Sequence, residues 1–294
     1  MGAADVVPGV SGGTIAFISG IYEELITAIN NINISALKLL KQRRLSAFWE
    51  HIHGNFIAAL VLGIFISIIF FVKGIKWLLE NEPVLLWSFF FGLVLSSILF
   101  VAKAITKWNA SVILFLIIGS VAAYYITTLP PLQSTENFMF LFFSGALAIC
   151  AMILPGISGA FILVLLGAYK TVLDAVDERN FKILGIAALG ALFGLLSLAK
   201  LLKWLLTNYK NATLAVLTGF IIGSLNKIWP WKKTITWYTD TDGEQVPLLQ
   251  KSIAPYKYAG DSQLLWAILL ALIGFFTIFL LEKLAAKKSV FVHE

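Results

Sequence analysis

A helix-breaking hexapeptide occurs twice in this chain, and both copies stand amid long apolar runs. Pro8-Gly9-Val10-Ser11-Gly12-Gly13 returns 147 residues later as Pro155-Gly156-Ile157-Ser158-Gly159-Ala160, half of the 294-residue length away. The echo continues through Gly20 and Gly167, Tyr22 and Tyr169, and Ala28 and Ala175. Pro lacks a backbone donor and Gly is entropically costly in a helix, so each copy interrupts helical sequence. Broken backbone at membrane depth is tolerated only where protein buries it or a cavity solvates it. Interruptions at corresponding places in two halves of a chain mark a transport site.

The membrane setting follows from composition. Apolar residues make up 59% and charged residues 13%, with a mean hydropathy of +0.89, against roughly half and a quarter in soluble domains. The net charge of +6 is spread over short loops, which suits membrane topology and points to no nucleic-acid partner. Nine Trp and eight Tyr suit interfacial anchoring. The single Cys150 excludes an internal disulfide, and no His, Cys or carboxylate cluster has metal-ligand spacing, so no metal or cofactor is expected. Residues 1–5 form no basic signal-peptide start. Only seven residues precede Pro8, whereas the apolar run 138–153 leads into Pro155. Part of the first half-helix is therefore expected to be missing.

Six runs are long enough to cross a bilayer: 55–79, 84–103, 110–128, 183–206, 211–229 and 263–283. The repeat extends into them at a shift of 127. Gly63 matches Gly190, Lys76-Trp77-Leu78-Leu79 matches Lys203-Trp204-Leu205-Leu206, Gly92 matches Gly219, and Ser97 matches Ser224. The apolar pieces around each break are too short to span, so each is read as a re-entrant helical hairpin. Three crossings between the motifs then invert the second repeat. The expected fold is an all-α integral membrane protein of two inverted repeats, 1–134 and 135–294, each a re-entrant hairpin plus three transmembrane helices. Twelve Lys and Arg fall on the side of the first loop and the C-terminus and ten on the other, which makes the first side cytoplasmic. On the outer side, the loop 230–262 is expected to carry a small β-hairpin, because residues 234–238 and 245–248 flank Asp240-Thr241-Asp242-Gly243. The small face at Gly92 and Ser96 leaves internal packing and a homodimer both open.

Each turn has the chemistry of an anion site. Pro8 ends the incoming segment, Gly9, Gly12 and Gly13 permit close approach, and Ser11 stands where serine caps the outgoing helix. Unpaired N–H groups and the positive helix end favour an anion there, and Pro155, Gly156, Ser158 and Gly159 repeat the arrangement. Ser-Gly pairs also serve plain helix packing, but packing does not require the duplicated Pro. Asp5 is the acid nearest a turn, suited to proton coupling or to orienting the turn. Glu23, with Glu24, follows the first outgoing half-helix, where solvation or coupling are alternatives. Tyr22 and Tyr169 are expected at the membrane interface. Gly-x-Ser-Gly resembles the nucleophile turn of an intramembrane serine protease, but His51, His53 and His293 lie on no transmembrane run, leaving no base in reach.

The opening Met1-Gly2-Ala3-Ala4-Asp5-Val6-Val7-Pro8-Gly9-Val10-Ser11-Gly12-Gly13-Thr14-Ile15-Ala16-Phe17, with Gly20-Ile21-Tyr22-Glu23 and Leu154-Pro155-Gly156-Ile157-Ser158-Gly159, resembles the polyprenyl-phosphate translocase family of bacterial and archaeal cytoplasmic membranes. The likeness covers nearly the whole chain. It implies return of undecaprenyl phosphate from the outer to the inner leaflet for cell-envelope synthesis, by a transporter and not an enzyme. The phosphate would then be held by Ser11, Gly12, Gly13, Thr14, Ser158 and Gly159 with the flanking Pro and Gly residues. Lys73, Lys103 and Lys200 are candidates for attracting it. A small-anion transporter or channel is the alternative. A membrane undecaprenyl-pyrophosphate phosphatase fits less well, because that family carries an Arg inside the turn where Gly12 and Gly159 stand here.

The inverted topology predicts that Ser35→Cys and Glu178→Cys, each in a Cys150→Ala background, are labelled by an impermeant thiol reagent from opposite sides of the membrane. Labelling of both from one side would make the repeats parallel.

Overall fold

In a computed structural model the structure describes residues 1–5, 11–132, 137–239 and 245–290. The first half runs α1 (Gly2–Asp5), α2 (Gly12–Ile18), α3 (Tyr22–Asn30), α4 (Ile34–Lys41), α5 (Leu45–His51), α6 (Gly54–Asn81), α7 (Pro83–Lys103) and α8 (Ala110–Thr128). The second runs α9 (Phe138–Ile153), α10 (Gly159–Leu165), α11 (Tyr169–Asp177), α12 (Phe181–Asn208), α13 (Lys210–Ser224), β1 (Lys232–Thr239), β2 (Gln245–Ser252) and α14 (Leu264–Val290).

The sequence echo reappears as matched geometry. Helices α2 and α10 have 7 residues each, α3 and α11 have 9, and α6 and α12 have 28. Gly20 and Gly167 end the short helices at φ 72° and 67°, a left-handed conformation that Gly adopts without strain. Single residues of nearly identical conformation join the long helices: Glu82 at φ −134°, ψ 52° and Tyr209 at φ −134°, ψ 45°. Pro83 then opens α7, a position where a missing donor costs nothing.

Packing follows the same correspondence. Helix α7 lies along α14, and α13 lies along α8. A methyl group on Gly92 would collide with the Ala271 carbonyl, and one on Gly219 with the Leu116 carbonyl. Likewise Gly274 meets the Phe89 carbonyl and Gly119 the Val216 carbonyl. These four glycines let two helix pairs approach to backbone contact, the way membrane helices gain van der Waals energy when hydrophobicity cannot drive association. Gly92 and Ser96 therefore pack inside the chain, with Ser96 buried. Gly219 faces Leu116 and Ser120 while Gly223 faces Ser120 and Tyr124, so α8 and α13 run in the same direction. Gly190 is filled by the Phe142 backbone of α9, whereas its partner Gly63 has no described atom within 4 Å.

Among the described residues, four helices are long and apolar enough to cross a membrane: Gly54–Asn81, Pro83–Lys103, Ala110–Thr128 and Phe181–Asn208. Helices α10 and α11 form a further pair bent by 110° at their break. The expected crossing at 211–229 is shorter, because α13 ends at Ser224 and the chain turns at once, with the Lys227 N–H donating to the Ser224 carbonyl at 2.8 Å. At 1.5 Å per residue its 15 residues reach about 22 Å.

Strands β1 and β2 pair antiparallel, as the alternating pattern predicted. Asp240, Thr241, Asp242 and Gly243 lie outside the described residues. Trp229 Nε1 donates to the Ile253 carbonyl at 2.8 Å and Trp231 Nε1 to the Ser262 carbonyl at 2.9 Å, which seats the hairpin on the bundle end. Tyr22 departs from its expected interfacial place. It is 2% exposed, tilted against Phe17 at 4.6 Å, and packed among Leu25, Ile26, Ile153 and Leu217.

Because α7 and α13 touch backbone through their glycines, Gly92→Leu or Gly219→Leu should lower the melting temperature in detergent by about 3–10 °C. Gly63→Leu, pointing into open space, should melt like the wild type, and equal effects at all three sites would contradict this packing.

Candidate functional site

The second break is a hairpin whose ends meet. Helix α9 stops at Ile153, Leu154 is extended at φ −67°, ψ 131°, and Pro155 is fully buried. Gly156 turns the chain at φ +93°, and a side chain there would press on Ser224 and the Phe220 carbonyl of α13. Ser158, extended at φ −89°, ψ 135°, opens α10. The Leu132 N–H, just ahead of α9, donates to the Leu165 carbonyl at the end of α10, 2.8 Å away. Entry and exit of this segment are thus bonded to each other.

The first turn docks on the second. Ser11 adopts the same extended capping conformation, φ −108°, ψ 133°, and its Oγ accepts from the Gly13 N–H at 3.1 Å. The same hydroxyl lies 3.0 Å from the Met152 carbonyl and 3.2 Å from the Leu154 carbonyl, donating to one or the other. The last carbonyls of a helix lack partners within it, so Ser11 caps the C-terminus of α9 and the N-terminus of α2 together. Thr14 Oγ1 accepts the Gly156 N–H at 2.9 Å, and Gly13 leaves room for the Ile153 carbonyl. Ser11 and Thr14 are each 1% exposed. The structure therefore brings Ser11, Gly12, Gly13 and Thr14 together with Pro155 and Gly156. Pro8 and Gly9 lie outside the described residues. Asp5 closes α1, and its carboxylate lies outside the described side chains.

The two copies are in different chemical states. Ser11 is committed to backbone partners, whereas the Ser158 side chain, 8% exposed, makes no capping bond to α10. Among the described residues no hydrogen bond satisfies the N–H groups of Gly159, Ala160 and Phe161, and Ala160 is exposed. Glu23 stands apart from both turns. It is exposed and accepts from Lys210 Nζ at 2.8 Å, an ion pair linking α3 to the start of α13 that solvent largely screens.

Of the three expected lysines, Lys73 and Lys200 are exposed on α6 and α12, and Lys103 sits near the Phe279 ring at 5.5 Å. Two others escaped the sequence reading. Lys227 Nζ is 4.4 Å from the ring centre of Phe161 on α10, and Lys232 Nζ is 3.5 Å from that of Trp87 on α7. Burial holds the Lys227 ammonium below the ordinary lysine pKa, and burial followed by the Lys227 charge holds Lys232 well below it. The available signal was the alternation of basic and aromatic residues in Lys227-Ile228-Trp229-Pro230-Trp231-Lys232 directly after a small-residue helix.

Residues 1–246 match the family described as undecaprenyl phosphate translocase-like. The polyprenyl-phosphate transporter of Vibrio cholerae serotype O1 is 48% identical over 291 residues, 98% of this chain and 94% of the relative. The polyprenyl-phosphate transporter of Staphylococcus aureus is 31% identical over 259 residues, 81% of this chain and 87% of the relative. No solved structure matches.

The joint between the turns predicts that Thr14→Val, which keeps the shape and removes the acceptor, speeds hydrogen exchange at the Gly156 amide by about tenfold. Unchanged exchange would mean that the bond does not hold the turns together.

Proposed function

The chain belongs to the undecaprenyl phosphate translocase-like family, and on that premise we propose that it returns undecaprenyl phosphate from the outer to the inner leaflet of a bacterial or archaeal cytoplasmic membrane, for cell-envelope synthesis. The observation that carries this reading is the meeting of two broken-helix turns inside an apolar bundle. Backbone polarity is expensive in lipid unless it has partners, so such a joint is a natural place for a polar headgroup to pass. The prenyl tail needs no tunnel, since the exposed apolar surfaces of α6 and α12 border lipid along their length.

In this reading the chain is two inverted repeats, 1–134 and 135–294, that move against each other about the joint. Matched helix lengths, matched single-residue links and the paired glycine contacts support that division. Ser11, Gly12, Gly13 and Thr14 serve the first turn and Pro155, Gly156, Ser158 and Gly159 the second, with Pro8 and Gly9 completing the motif. The headgroup meets first the turn whose donors are unoccupied, at Ser158 and Gly159. The joint must then loosen to let it by. Its hydrogen bonds are worth about 0.5–1.5 kcal/mol each, a barrier that a bound phosphate can offset by taking over the freed donors. Ser11 thus alternates between the α9 carbonyls and the phosphate. Asp5 and Glu23 remain candidates for proton coupling or for orienting the turn.

Depleting the protein should raise undecaprenyl phosphate on the outer cell surface, read with a headgroup-specific probe. Wild type should reverse this and Ser11→Ala/Ser158→Ala should not. Unchanged exposure, in a strain without a redundant translocase, would favour a small-anion transporter.

A further inference from the structure

Two half-buried lysines share one end of the bundle, and no described carboxylate pairs with either. Lys227 lies in the turn after α13, anchored by its N–H to the Ser224 carbonyl. Lys232 opens β1, half-buried along its length with its ammonium end enclosed. Phe161 of α10 lies beneath Lys227 and Trp87 of α7 beneath Lys232, and within the same segment Trp229 packs against Phe91 at 5.4 Å and Trp231 at 5.5 Å. Among the described residues no carboxylate comes within ion-pair distance of either ammonium. Glu82, near the same end, is engaged by Gln263 Nε2 at 2.9 Å.

Aromatic faces attract a cation and so offset part of its desolvation. They do nothing for the repulsion between two ammoniums, which is felt here as the Lys227 charge working against that of Lys232. An anion shared by both would relieve desolvation and repulsion at once. A phosphomonoester suits the position better than a carboxylate, since it carries close to two charges near neutral pH and three acceptor oxygens. Lysine suits it as a compact point charge with three rotatable donors.

We propose that Lys227 and Lys232 together form a receptor for a phosphomonoester headgroup, at the bundle end that bears the β-hairpin and beside the second turn. The proposal rests on the translocase reading for the identity of the lipid, and on the lysine pair alone for the phosphate. The receptor belongs to one end of the molecule only. At the shift of 127 that relates α7 to α13, the position matching Lys227 is Phe100.

The test is binding to the purified full chain in nanodiscs, with radiolabelled undecaprenyl phosphate in one arm and inorganic phosphate in the other. Lys227→Gln and Lys232→Gln should each weaken lipid binding by about tenfold or more, and the double variant further. The corresponding Arg variants should retain most of the binding, and Lys251→Gln, on the exposed part of β2, should match wild type. Wild-type binding of the lipid with the double variant within twofold would overturn the receptor and leave the translocase reading intact. Lysine-dependent binding of inorganic phosphate without lipid binding would uphold the receptor and sink the lipid reading. Binding of neither would overturn the receptor. Should the Gln variants misfold, acetylation of the wild type read by mass spectrometry decides. Undecaprenyl phosphate, and not the uncharged prenol, should protect Lys227 and Lys232, and modification unaffected by bound lipid would overturn the proposal.

Discussion

Everything in this bundle depends on where the broken backbone finds its hydrogen bonds. A helix that stops inside an apolar layer leaves carbonyls at one end and N–H groups at the other, and lipid satisfies neither. Here one hydroxyl serves two ends. Ser11 accepts from the first turn of α2 and donates to one of two carbonyls, Met152 or Leu154, at the end of α9. Thr14, one helical turn further on, takes the Gly156 N–H from the same break. The two halves of the chain are joined through the very groups that would otherwise be most costly to bury.

That joint requires close approach, which explains the glycines around it better than local flexibility does. Gly13 has no side chain because the Ile153 carbonyl occupies the space, and Gly156 faces α13 in the same way. The outer helices repeat the solution at Gly92, Gly119, Gly219 and Gly274. Hydrophobicity cannot drive helices together in lipid, so contact area gained through small residues must do so. Many of the apolar residues that dominate the composition are turned outward, as on α6. They set the solvent of the fold, while small and polar residues set its geometry.

Much of this was legible in the sequence, for a physical reason. Pro and Gly act on their own backbone, so the break at Pro155 and Gly156 and the short helices after both motifs follow from local chemistry. The hairpin strands were visible for the same reason. What escaped depends on distant partners. Ser11 and Met152 are 141 residues apart, and no local pattern says that the capping serine also caps another helix. Tyr22 read as interfacial because tyrosine commonly sits there, but Ile153 and Leu217 close over it from remote elements. Helix α13 stops early because the chain turns at Ser224, within a run whose composition alone continues to Trp229. The lysine pair was missed because Lys227 and Lys232 acquire meaning only from Phe161 and Trp87, which other helices bring to them.

The duplicated frame therefore carries unduplicated chemistry, and the difference is concentrated at one position. Thr14 and Phe161 occupy equivalent places, three residues beyond their capping serines. In the first copy that place holds an acceptor, and it ties the turn to the opposite half. In the second it holds a ring, which makes no such tie and lies under an ammonium group. The described part of one turn is tied by its own protein, and among the described residues the N–H groups opening α10 have no partner. Two identical turns would give a carrier equal reasons to hold a headgroup at either end. With one copy latched and the other beside a positive charge, the proposed headgroup site is asymmetric before any ligand arrives. A duplicated carrier needs such a difference if loading at one end is to be easier than at the other.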